Sequence, residues 1–140
     1  MSKRFVDSEI FGQEWFRKLH TKDKVLFFYL LTNCDIAGVI SPDWPIISQQ
    51  IGGTVTENDL WKLNENIVKL KPGKYFIRRF IEYQYGLDFP SGKSNVHKGV
   101  LKCLASHRLG WPVAIPEQEN NSLPSTLPSR LPSSFQDQEP

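Results

Sequence analysis

Hydrophobic positions along most of this chain recur at helical rather than alternating spacing. Ile10, Phe11, Trp15, Phe16 and Leu19 make a first apolar face, on a short helix that Asp7 is placed to cap. Thr21 is the expected cap of a second helix reaching about Asn33. Its run at 25–31 is apolar nearly all round, the mark of a central buried helix. Residues 35–38 end that helix, and Val39-Ile40 has length only for a minimal strand. Ser41-Pro42 reads as an N-cap and first-turn pair. The helix it opens turns Trp44, Ile47 and Ile51 inward and stops at Gly52-Gly53. Thr56, with Asp59 three residues on, has the form of a capping box for a helix near 57–66, whose apolar stripe is Leu60, Leu63 and Ile67.

The period then changes. Residues 67–70 and 75–80 are β-type runs around Pro72-Gly73, which predicts a hairpin. A looser stretch from Tyr83 to Ser94 precedes a last helix from about Asn95 to Leu109. Val96, Val100, Leu101 and Leu104 are its expected buried side, and Gly110 stands where a C-terminal cap belongs. The fold class expected from this order is mainly α with a small β-hairpin, a winged helix-turn-helix with extra N- and C-terminal helices. Helices near 43–51 and 57–66 would be the helix-turn-helix pair, and 67–80 the wing.

Composition bounds the domain. Only 4 of the last 24 of the 140 residues are hydrophobic, and Leu-Pro recurs at 123–124, 127–128 and 131–132. Proline at that spacing blocks helix, and so few leucines cannot offset the cost of ordering the backbone. Residues 1–116 are therefore the expected domain and 117–140 a disordered Ser/Pro/Leu-rich tail or linker. No run approaches the roughly 20 apolar residues that a bilayer needs. The first residues lack the apolar segment of a signal peptide. Cys34 and Cys103 are too few for a disulfide scaffold, so a cytoplasmic location is expected.

The formal net charge of +2 conceals a polarised chain. Residues 1–30 carry +2, 31–66 carry −4, 67–116 carry +7 and 117–140 carry −3. The basic excess falls on the predicted hairpin and last helix. Lys69, Lys71, Lys74, Arg78 and Arg79 are interleaved with Tyr75, Phe76 and Phe80, without an acid among them. On a strand Lys69 and Lys71 would share a face, while Arg78 and Arg79 would point apart. Such cations meet phosphates and release counterions, giving affinity independent of sequence. The bland alternative is edge protection of the hairpin, which needs fewer cations than five. The segment 57–66 is net acidic, but Asn58, Lys62 and Asn64 could reach bases or phosphates, and Lys98 and Lys102 add charge on the last helix.

Catalytic and metal chemistry find less support. Residues 86–94, Gly-Leu-Asp-Phe-Pro-Ser-Gly-Lys-Ser, imitate a phosphate loop but hold five residues between the glycines instead of four, and Pro90 removes an amide from the cradle. His97, Cys103 and His107 lie on one predicted helix, yet only Cys103 and His107 share a face, and two ligands are too few for a metal. No catalytic residue, cofactor or metal site is expected.

Several segments together resemble a known family. They are Asp-Ser-Glu-Ile at 7–10 with Trp15-Phe16, Leu-Leu-Thr-Asn-Cys-Asp-Ile-Ala-Gly-Val at 30–39, and Ile51-Gly52. Val-Thr-Glu-Asn-Asp-Leu at 55–60, Phe-Ile-Glu-Tyr-Gln-Tyr-Gly at 80–86 and Asn-Val-His-Lys-Gly-Val at 95–100 complete the set. The chain resembles, over nearly all of 5–109, the N-terminal winged-helix domains of phage and mobile-element replication proteins, of the replisome-organiser or primosomal type. The resemblance implies DNA binding in replication initiation or helicase loading, with a replicative helicase or other replication protein as a partner beside DNA. Members of the family often continue through a low-complexity linker, and this chain reaches Pro140 inside what reads as one. The alternatives from the residues alone are a protein-interaction module, for which Trp61 beside the Leu60/Leu63 stripe is the telling side chain, or a transcriptional regulator.

Overall fold

Aromatic side chains fold the N-terminal segment onto the central helix. The computed structural model describes residues 3–115, so the expected tail at 117–140 lies outside the described residues. The single helix expected after Asp7 is instead a 3₁₀ turn, Ile10–Gly12, followed by the short α1, Glu14–Arg17. Gln13, between them, has extended backbone, and that break rotates Phe11 out to 63% exposure while Ile10 and Phe16 are buried. The central helix α2 spans Thr21–Asn33 and buries Leu26, Phe27, Leu30 and Leu31. Trp15, Phe16 and Phe27 meet edge to face, with centroids 5.2–6.1 Å apart. Thr21 is the first helical residue rather than the cap; His20 holds the cap position without a side-chain hydrogen bond.

The minimal strand forms as expected, as β1, Val39–Ile40. Helix α3 runs Trp44–Ile51, and its cap is Asp43, whose Oδ1 accepts from the Ile46 N–H, with proline in the first turn. The Ser41-Pro42 signal is therefore two residues early: Asp43-Trp44-Pro45 offers the same chemistry, a side-chain acceptor at the cap with proline in the first turn. Gly52 closes the helix with φ of 90°.

Residues Glu57–Asn66 form a 3₁₀ helix rather than the expected α-helix. With about three residues per turn, side chains three apart eclipse and the segment sorts into rows. Leu60 and Leu63 share the inward row at 0% exposure, and Asn58 and Trp61 share an exposed one. Ile67, expected on the helical stripe, begins β2, Ile67–Lys71.

Strand β2 turns through Pro72-Gly73 into β3, Lys74–Ile77, with Gly73 at φ of 80°. The antiparallel sheet has the order β1-β3-β2. Between Lys69 and Lys71 the register shifts, so simple alternation does not govern those two side chains. The hairpin ends at Ile77, short of Phe80. Arg78 and Arg79 occupy the following turn, Arg79 with φ of 66°, and α4, Phe80–Tyr85, begins at the residue expected to end the hairpin and reaches into the looser stretch expected from Tyr83. Phe80 and Ile81 bury its inner side.

The last helix, α5, spans Asn95–Ser106, capped by Ser94, whose hydroxyl accepts from the His97 N–H. It ends before Gly110, with Arg108 in the left-handed region. Val100 and Leu104 are buried as expected, but Val96 is 61% exposed and His97 takes the inward place. His97 Nδ1 accepts from the Ser91 N–H, and its ring lies 4.9 Å from that of Phe89. The fold is thus a mixture of helices, about 49% of the described residues, with a small three-stranded antiparallel sheet. Among the described residues, no helix is long and apolar enough to cross a membrane.

Candidate nucleic-acid interface

The hairpin separates its five cations into two ends. Lys71 lies exposed beside the turn, opposite Lys74 in the register. Lys69, nearer the middle, sits 3.4 Å from Glu57, which also accepts a hydrogen bond from the Tyr75 hydroxyl. The Tyr75 hydrogen bond, opposed by burial and assisted by Lys69, holds the Glu57 carboxyl below its usual range. Arg78 and Arg79 are exposed at the other end of the hairpin, where Arg79 stacks its guanidinium over Tyr83 at 5.7 Å.

The acidic segment before the hairpin uses its charges internally. Its 3₁₀ rows bring Asp59 and Lys62 to 3.2 Å, and Lys62 also lies 3.8 Å from the buried Asp23 of α2. Hydrogen bonding to Asp59, then the charge of Asp23, keeps the Lys62 ammonium protonated above its ordinary range. Asp59 accepts from the Thr56 N–H at 2.8 Å, the side-chain half of a capping box. Among the described side chains of this segment, Asn58, Lys62 and Trp61 are exposed, Trp61 at 49%; that of Asn64 lies outside the described residues. On α5, Lys98 and Lys102 are exposed one turn apart.

Lys74 does something the sequence did not indicate. Its Nζ is 3.0 Å from His107 Nδ1, and His107 Nε2 is 2.7 Å from Asp35 Oδ2. An ammonium only donates, so Nδ1 accepts and Nε2 carries the proton given to Asp35. Asp35 Oδ1 meanwhile accepts from the N–H groups of Ala37 and Val39 at 2.9 and 3.0 Å. Burial would raise the Asp35 carboxyl, but these amides and His107 outweigh it and hold the group below its usual range.

Cys103 completes a group in which Asp35, Cys103 and His107 offer donor atoms within 4.8 Å of one another. Sequence spacing supplied two of the three; Asp35 arrives from 72 positions before His107. A metal on His107 Nε2 would require the opposite tautomer and the loss of the Lys74 contact. Burial, then the Asp35 charge, also pushes the Cys103 thiol up, away from the thiolate a metal takes. The present geometry is that of a charge-balanced hydrogen-bond chain joining β1, β3 and the end of α5.

A cleft of about 410 Å³ lies at the Arg78/Arg79 end of the hairpin. Its walls include Phe5, Trp15 and Tyr83, none of which sequence reasoning proposed for a site. The aromatic run at 80–85 next to two arginines is the available signal, obscured because Phe80 falls in the expected hairpin and Tyr83 in the expected looser stretch. Compared with protein-family models, curated proteins and solved structures, the chain has no significant match.

Proposed function

We propose that the chain is a winged-helix DNA-binding domain acting in the cytoplasm in phage-type replication initiation, as a replisome organiser or helicase-loading accessory. The observation that carries the DNA-binding part is the sheet order β1-β3-β2, whose β2–β3 hairpin directly follows α3 and the 57–66 helical segment. That succession is the plan of a winged helix-turn-helix, with the hairpin as wing. The replication role, and a replicative helicase as protein partner, rest on the sequence resemblance.

In this reading Lys71 at the wing turn and Lys98 and Lys102 on α5 meet phosphates, while Asn58, exposed on the 3₁₀ helix, is offered to bases. Lys69, Lys74 and Lys62 have partners within the fold and contribute less. The test is a salt titration of binding to random duplex DNA. Lys71→Ala should reduce the slope of log affinity against log salt by about one, the release of one phosphate contact. Lys69→Ala should change it less. An unchanged slope for Lys71→Ala removes the wing from the interface, and no duplex affinity at low salt overturns the reading.

Trp61 favours a second reading, a protein-interaction module, because half-exposed tryptophan is a frequent anchor of protein interfaces. The same titration separates them, since that module needs no affinity for DNA.

A further inference from the structure

The geometry points to a second nucleic-acid contact: the cleft at the base of the hairpin holds one unpaired nucleotide, its base on the aromatic wall and its phosphate on Arg78 and Arg79. This rests on the DNA-binding reading and extends it to single strands. The cleft, at about 410 Å³, is far too small for a duplex and falls within the range of sites for one small ligand. Phe5, Trp15, Phe27 and Tyr83 contribute aromatic surface to it, and Arg78 and Arg79 supply its cations.

Two features distinguish this wall from a gap in packing. Phe5 is 71% exposed and Tyr83 52% exposed, yet both belong to anchored backbone. The Gln84 side chain pairs with the Phe5 main chain in both directions, each hydrogen bond 2.8 Å long. Arg4 donates to the Cys34 carbonyl at 2.9 Å and lies over the Phe80 ring. The chain thus fixes an exposed phenylalanine in place, which lowers the ordering cost of a ligand that stacks on it.

Charge supplies the second argument. Arg78 and Arg79 are exposed, and no ion pair joins either to an acid among the described residues. The acid in the wall, Asp7, has both carboxylate oxygens occupied: one accepts from the Glu9 N–H and the other from the Gln13 amide. Gln13 in turn accepts from the Trp15 indole N–H at 2.8 Å. Aromatic surface beside unpaired cations is how single strands are held without sequence preference, by stacking and phosphate contact together.

The test compares three probes on the full chain at low salt: an oligothymidylate of about ten nucleotides, an abasic strand of equal length, and a duplex. The thymine strand should bind about tenfold tighter than the abasic one, the worth of about one stacked base. Tyr83→Ala and Phe5→Ala should each erase most of that difference and leave duplex affinity and the thermal midpoint unchanged. If Tyr83→Ala fails to fold, Phe5→Ala decides. Arg79→Asn, which tolerates the left-handed backbone there, should weaken both strands. Equal affinity for thymine and abasic strands overturns the inference, as does a difference that survives the aromatic substitutions. Duplex binding with no base preference defeats this inference alone, whereas no binding to any probe defeats the DNA-binding reading with it.

Discussion

Gly38 occupies a position where no side chain fits. Its φ is +86°, and a Cβ there would stand 2.7–2.8 Å from the ring and Cβ of Phe80. The turn that Asp35 builds between α2 and β1 is therefore covered by Phe80, the first residue of α4. Gly38→Ala should destabilise the fold by about 2–4 kcal/mol, combining backbone strain with overpacking against a buried ring. Chemical denaturation of the two proteins measures the difference; a loss of only about 1 kcal/mol, the backbone strain alone, would mean that Phe80 swings aside freely. The sequence showed that residues 35–38 end a helix, and glycine explained the turn. It could not show the approach of Phe80, because that contact is made only when β3 pairs with β1. The same holds for His107, whose partners Asp35 and Lys74 come from separate elements.

Among the elements, the 3₁₀ helix Glu57–Asn66 separates most clearly what local chemistry reveals from what packing decides. The Thr56/Asp59 capping pair and the Leu60/Leu63 stripe were legible, since both depend on spacing of three, which α and 3₁₀ helices share. The choice between the two was not, because a spacing of three fits either helix and the contacts of this segment, such as Lys62 with Asp23 of α2, are tertiary. Helix α4 escaped notice for a related reason: only Phe80 and Ile81 of its six residues are buried, too short a stripe to show a period. Asp59 carries a pH consequence for its element. Burial raises its pKa, but the Thr56 amide, Lys62 and Lys22 more than offset this, so its folded pKa lies below the usual carboxylate range. A depressed folded pKa stabilises the fold above the unfolded value of about 4, and that contribution is lost as pH falls through the folded value. Asp35 and Glu57 act in the same direction. The thermal midpoint should therefore hold steady from neutral pH to about 5 and drop below about 4. Asp59→Asn should lower the midpoint at neutral pH and make the acid decline shallower; an equally steep decline would assign the effect to the other carboxylates.

Across the whole molecule, charge is divided between cations tied into the fold and cations left to solvent, and His107 sits on the boundary between them. It receives Lys74 from the hairpin and donates to Asp35 beside β1, and so fastens the end of α5 to the sheet. Removing its ring should have two effects of different origin. Stability should fall by about 1–3 kcal/mol, because Asp35 and Lys74 each lose a charge-assisted hydrogen bond in a half-buried setting. Lys74, opposite exposed Lys71 at the hairpin turn, should at the same time be released from its partner. On the DNA-binding reading, His107→Ala would then steepen the salt dependence of duplex binding by about one contact, opposite in sign to Lys71→Ala. The double variant His107→Ala with Lys74→Ala separates the two effects: it should restore the original slope while keeping the lower stability. A steeper slope that persists without Lys74 would place the new contact elsewhere on the surface. An unchanged slope in the single variant would mean that Lys74 faces away from the duplex and serves the fold alone.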